Sequence, residues 1–123
     1  MTPSRASLWL PPVSVMALIF TISCFSHVPV PKLPFLHPDK VAHALVYGLL
    51  GFLLARAARF SWRWTWPKVV LFALLISSFF GATDEWHQSF VPGRSVEATD
   101  WLADTVGALF GQIPAYFRYR RGG

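Results

Sequence analysis

His43, Glu85 and Asp104 are the side chains of this sequence best suited to proton transfer. A histidine oriented by a carboxylate can act as a general base. Lys40 and Arg94 are of the type that holds an anionic group, Arg through a bidentate fork suited to phosphate. Asp84, Glu85, Asp100 and Asp104 would position those cations. No serine or cysteine motif of a nucleophile is evident, so catalysis would rely on activated water or a carboxylate nucleophile. His43 with two or three carboxylates could hold a divalent ion. Metal-type spacing such as H-E-x-x-H is missing, however, so no metal or cofactor is expected.

These residues are segregated along the chain. All 6 acidic residues and all 4 histidines fall at one end of the hydrophobic runs. Asp39 and His43 open the second run, and Asp84, Glu85 and His87 close the third. Glu97, Asp100 and Asp104 open the fourth, while most arginines sit at the opposite ends. The chain is 54% hydrophobic and only 14% charged, against about 25% charged in soluble domains. Its net charge of +5 could suggest nucleic acid. That is excluded, because the basic residues flank apolar runs and form no stripe between stacking aromatics. The single cysteine, Cys24, permits no intramolecular disulfide and no cysteine metal cluster, and is expected to be a small buried residue.

The elements that must position these residues are four helices, at about 8–26, 39–59, 67–88 and 96–117. Each is roughly 20 residues, the length that spans a 30 Å hydrocarbon core at 1.5 Å per residue. The expected fold is all-α, a transmembrane four-helix bundle in a single domain over 1–123. Pro11 and Pro12 fit the first turn of the first helix. A signal peptide is disfavoured, because no small-residue cleavage site follows that run. Four prolines between His27 and Pro38 make an extended connection. Val91-Pro92-Gly93-Arg94 reads as a turn, with Ser95 as N-cap of the last helix and Glu97 in its first turn.

Orientation follows from the basic residues. Arg5, Arg56, Arg59, Arg63, Lys68, Arg118, Arg120 and Arg121 fall on one side, and Lys32, Lys40 and Arg94 on the other. The positive-inside rule then places both termini in the cytoplasm and the polar cluster outside. Trp9, Trp62, Trp64, Trp66, Tyr116 and Tyr119 would mark the inner interface, and Trp86 and Trp101 the outer one.

Helical spacing sets the faces. Lys40, His43 and Tyr47 share one face, beside a stripe of Ala44, Gly48, Gly51 and Ala55. Ser77, Gly81, Asp84 or Glu85, and Gln88 line up on the third helix. Asp100, Asp104, Gly107 and Gly111 do so on the fourth, and Ser14, Ala17, Thr21 and Cys24 on the first. Small-residue stripes mark helix contacts in lipid, so polar residues continuing them should point into the bundle. Asp104 lies roughly 13 Å along its helix from Ser95. A carboxylate facing lipid at such depth would cost about 2.5–3.5 kcal/mol, so it needs a partner. Arg94, Lys40 and His43 are the available cations, and Arg94 is expected in an ion pair with at least one of Asp84, Glu85, Asp100 and Asp104.

Three patterns carry a resemblance. They are Asp39-Lys40-x-x-His43-x-x-x-Tyr47, Asp84-Glu85-x-x-Gln88-x-Phe90-x-Pro92-Gly93-Arg94, and Asp100-x-x-x-Asp104-x-x-Gly107. Together they resemble the signature of the VanZ-like family of small bacterial membrane proteins, over roughly residues 38–111. The family often has Asn where Asp104 stands. The resemblance implies a cell-envelope protein of the cytoplasmic membrane. The family's namesake is linked to low-level resistance to the glycopeptide teicoplanin, a property that is not carried over to this chain. The expected function is binding of an anionic envelope lipid or glycan-linked group, with membrane lipids as partners. Asp39, Lys40, His43, Tyr47, Asp84, Glu85, Gln88, Arg94, Asp100 and Asp104 would form the site. The alternative is an enzyme acting on a lipid-linked substrate, with His43 as general base and Glu85 and Asp104 as further catalytic candidates. A transporter is a weaker reading, because four helices without an evident repeat offer little for alternating access.

Overall fold

The computed structural model describes residues 2–25, 38–94 and 96–121. It consists of four helices: α1 (Arg5–Ser23), α2 (Pro38–Trp62), α3 (Trp66–Gln88) and α4 (Ala98–Tyr119). Contacts between named residues fix the topology. Arg56 near the end of α2 reaches Ser7 at the start of α1, so those helices run antiparallel. Ser23 meets Asp84, with α1 and α3 parallel. Trp101 near the start of α4 bonds to Ser78 in α3, and these two are again antiparallel. The result is an up-down-up-down bundle.

The bundle centres on the pair α2–α4, which makes the most extensive contact. Its cause is the small-residue stripe on both helices. A Cβ added at Gly107 would overlap the backbone of Ala44, and one at Gly111 would overlap that of Gly48. The two backbones therefore touch directly, as close packing in lipid favours. α1 rests on α2 and α3, and among the described residues it does not reach α4.

Three helices, over Arg5–Ser23, Lys40–Trp62 and Trp66–Gln88, are long and apolar enough to cross a membrane. α4 is 22 residues long but carries Asp100, Asp104 and Gln112 and falls outside that set. Large apolar side chains such as Leu45, Phe79, Phe110 and Phe117 face outward. Such faces suit lipid rather than water.

Several boundaries differ from the sequence expectation. α1 starts earlier, at Arg5, because Ser4 caps it by accepting from the Ser7 N–H at 3.1 Å. Pro11 and Pro12 therefore stand inside the helix and not in its first turn. Pro11 cannot donate to the Ser7 carbonyl, and Arg56 donates to that oxygen instead, at 3.1 Å. The buried face of α1 is Leu8, Pro12, Ile19 and Ser23. Ser14, Ala17, Thr21 and Cys24 face outward, contrary to the stripe expected there. α1 makes only light contacts, so nothing forces its small residues into an interface. α2 continues to Trp62, and Arg63 turns the chain with a positive φ of 54°. Glu97 is the N-cap residue of α4 and not part of its first turn, and Ser95 lies outside the described residues.

At the basic end, aromatic side chains gather. Trp62 stacks on Trp64 at 4.6 Å, and Trp9 packs on Trp62 at 5.1 Å. The Trp9 indole donates to Ser61 Oγ at 2.8 Å, and Arg59 lies over the Trp66 ring at 5.6 Å. These amphipathic rings have one polar tip and one apolar body, which suits an interface.

Candidate functional site

The other end of the bundle holds the polar side chains. Lys40 leaves the first turn of α2 and is bracketed by two acids of the α4 entrance. Its Nζ donates to Glu97 Oε2 at 2.5 Å and to Asp100 Oδ1 at 2.6 Å. One turn further, His43 Nδ1–H donates to Asp104 Oδ1 at 2.6 Å. Asp104 is 0% exposed, so this pair sits inside the bundle. Another turn along α2 is Tyr47, whose hydroxyl is buried and finds no partner among the described residues. Lys40, His43 and Tyr47 thus face α4 and the core together, as their spacing requires.

α3 supplies the opposite wall. Ser77, Gly81, Asp84, Glu85 and Gln88 are all buried. Sequence spacing left open which acid faces inward, and both do. They point to different neighbours. Glu85 Oε2 accepts from the Glu97 N–H at 3.4 Å, which ties α3 to the start of α4. Asp84 turns towards α1, where Ser23 Oγ donates to Asp84 Oδ1 at 2.5 Å. Gln88 Nε2 donates to Ser23 Oγ and to Asp84 Oδ2, both at 3.3 Å. Gly81 makes room for the central carboxylate: a Cβ there would lie 3.0 Å from Asp104 Oδ2.

The polar residues therefore form two adjoining groups. Lys40, His43, Tyr47, Glu85, Asp100 and Asp104 lie among α2, α3 and α4, with Glu97 at the rim. Asp84 and Gln88 lie between α3 and α1 with Ser23. Asp39 belongs to the first turn of α2, but its side chain is outside the described residues, as are His27 and His37.

Arg94 departs from expectation. Among the described residues it has no carboxylate within 4.0 Å. Its guanidinium donates to the Phe25 carbonyl at 3.3 Å, just past the end of α1. The turn at Gly93, with φ of 81°, aims the chain that way. Unsatisfied carbonyls at a helix C-terminus attract a cation, which accounts for the choice.

Ser23 was not singled out from sequence, although it is the link between α1 and Asp84. Its signal is the i, i+4 step from Ile19 on the one apolar face that packs. His87 also packs against α1. It stacks on Phe20 at 4.4 Å, on the flank where Cys24 lies exposed. Beside them is a cavity of about 290 Å³ lined by Phe20, Phe80, Thr83, Trp86, His87 and Phe90, with Asp84 in its wall.

One donor atom from each of His43, Glu85 and Asp104 lies within 4.8 Å of the others. The arrangement offers a carboxylate-oriented imidazole and a second carboxylate in a largely enclosed space. It can hold or move a proton, or bind a polar group. No curated protein and no solved structure matches this chain. The VanZ/LLP1 family model matches residues 4–118, and the chain is a membrane protein belonging to that family.

Proposed function

We propose that this protein is a multi-pass protein of the cytoplasmic membrane that binds an anionic lipid-linked or glycan-linked envelope group on its outer side. The observation that carries the reading is the convergence of Lys40, His43, Glu85, Asp100 and Asp104 from three helices at one end of an otherwise apolar bundle. Charged side chains in membrane segments are costly and mark ligand or ion sites. Arg94 makes one long bond to a backbone carbonyl just past the end of α1, and its fork suits a phosphate. The adjoining apolar cavity fits part of a lipid chain.

Native mass spectrometry of the purified protein tests this. An anionic lipid-linked adduct is expected, and it should be weakened in Arg94→Lys, which keeps the charge but loses the fork. Retention of the same lipids at the same level by an unrelated bundle of similar size would contradict the reading.

A second reading has its own support in the 2.6 Å bond between His43 and Asp104. A carboxylate on Nδ1 fixes the tautomer that leaves Nε2 as base. In this reading His43 deprotonates water or a hydroxyl of a lipid-linked substrate. A headgroup-modified lipid formed by the wild type and absent with the His43→Ala/Asp104→Asn double variant, which removes the base without leaving a lone buried charge, would favour it over binding alone.

The orientation has a separate test. With both termini in the cytoplasm, alkaline phosphatase fused after Arg63 or after Arg121 should be inactive. High activity at either point would move the polar cluster to the inner side.

A further inference from the structure

We infer that His43, Glu85 and Asp104 form a binding site for a divalent transition-metal ion, placed in the same pocket as the proposed anionic group. The first support is geometric. Their donor atoms lie within 4.8 Å of one another. Neighbouring donors on a tetrahedral ion at about 2.1 Å lie about 3.4 Å apart. The set therefore closes on an ion with side-chain shifts of up to about an ångström. Each ligand comes from a different helix, His43 from α2, Glu85 from α3 and Asp104 from α4. Spacing motifs such as H-E-x-x-H place two ligands on one helix and are blind to such a site.

The second support is independent of the cluster's composition. Asp104 is 0% exposed and its Oδ2 has no hydrogen-bond partner among the described residues. Glu85 is 6% exposed and its Oε1 is equally unpartnered. Buried oxygens without partners are rare and costly, and an ion is one of the few things that satisfies two at once. Those two atoms belong to two of the three ligands.

Charge points the same way. Among the described residues, Glu85, Asp100, Asp104 and, at the rim, Glu97 stand around the pocket with Lys40 and His43, and Arg94 lies further off beside the end of α1. A divalent ion reverses the balance and leaves coordination positions for a phosphate or water. The imidazole nitrogen favours ions such as Fe²⁺ and Zn²⁺ over Mg²⁺ or Ca²⁺, and the two carboxylates also suit Mn²⁺.

The test uses the full chain in lipid nanodiscs, stripped with chelator and titrated with Mn²⁺ alone, bound ion being read by electron paramagnetic resonance. Saturable binding of a single ion per chain is expected, with Zn²⁺ displacing it. His43→Ala, Glu85→Gln and Asp104→Asn should each weaken it by roughly tenfold or more. Ser89→Ala, exposed at the same end, should bind as wild type. Glu85→Gln is the decisive variant, because it keeps the acceptor for the Glu97 N–H and leaves folding intact. No saturable Mn²⁺ or Zn²⁺ binding, or wild-type binding by Glu85→Gln, would overturn the inference. The titration contains no candidate ligand, so its failure leaves the anionic-group reading standing. Absence of a co-purified lipid leaves the ion site standing.

Discussion

Gly111→Leu should leave almost no folded protein in the membrane. A Cβ at this position would fall on the backbone of Gly48, and a branched side chain beyond it has nowhere to go. Overpacking a core typically costs about 1–3 kcal/mol when neighbouring side chains can rotate away. Here the obstruction is main chain on both sides, so α2 and α4 must separate. That loss extends along the whole α2–α4 contact, the most extensive in the bundle. The effect should also be graded by position. A Cβ at Gly48 would meet the Gly107 carbonyl oxygen at 3.3 Å, a contact that small shifts relieve. Gly48→Ala should therefore accumulate close to wild-type levels, while Gly107→Ala and Gly111→Ala should not. Membrane levels of monodisperse protein after detergent extraction check the ranking. Equal tolerance at all three positions would mean that the two backbones do not touch.

That same stripe shows which features were legible in sequence. Ala44, Gly48, Gly107 and Gly111 repeat at helical spacing, and close approach of backbones in lipid leaves few alternatives to small residues. Because the stripe fixes which face of α2 meets α4, it also fixes where Lys40, His43 and Tyr47 point. Asp100 and Asp104 then had to meet them. α1 was less legible. Its contacts are light, so its small residues Ser14 and Ala17 were free to face outward, and a Leu-Pro-Ile-Ser face packs instead. Arg94 was misplaced for a different reason. Formal charge pairs it with a carboxylate, but a carbonyl beyond the end of α1 lay closer to the path set by Gly93. Glu85, Asp104 and His43 were each visible as candidates. Their grouping around a common point was not, because it depends on the relative height of three separate helices.

His43→Ala should be strongly destabilising. It leaves the fully buried Asp104 carboxylate without the imidazole it bonds at 2.6 Å. Removing one partner of a buried pair costs about 3–5 kcal/mol, mostly for the charge left behind. Adding Asp104→Asn to His43→Ala should restore much of that loss, since the uncompensated charge goes too. Melting of the single and double variants in detergent measures the coupling. A double variant no more stable than His43→Ala would mean that the loss comes from packing and not from charge.

Glu85 separates a functional site from an ion-pair scaffold most directly. Its carboxylate is buried, yet among the described residues its one hydrogen bond is a 3.4 Å contact with the Glu97 backbone and its other oxygen has no partner. A scaffold would gain nothing from such a charge. A site keeps it at a cost to stability. Glu85→Gln retains the shape and the Glu97 acceptor while removing the charge. The thermal melting temperature of this variant in detergent should equal or exceed that of wild type. A melting temperature several degrees below wild type would show that the Glu85 charge holds the bundle together, and would contradict a functional site at this end of the protein.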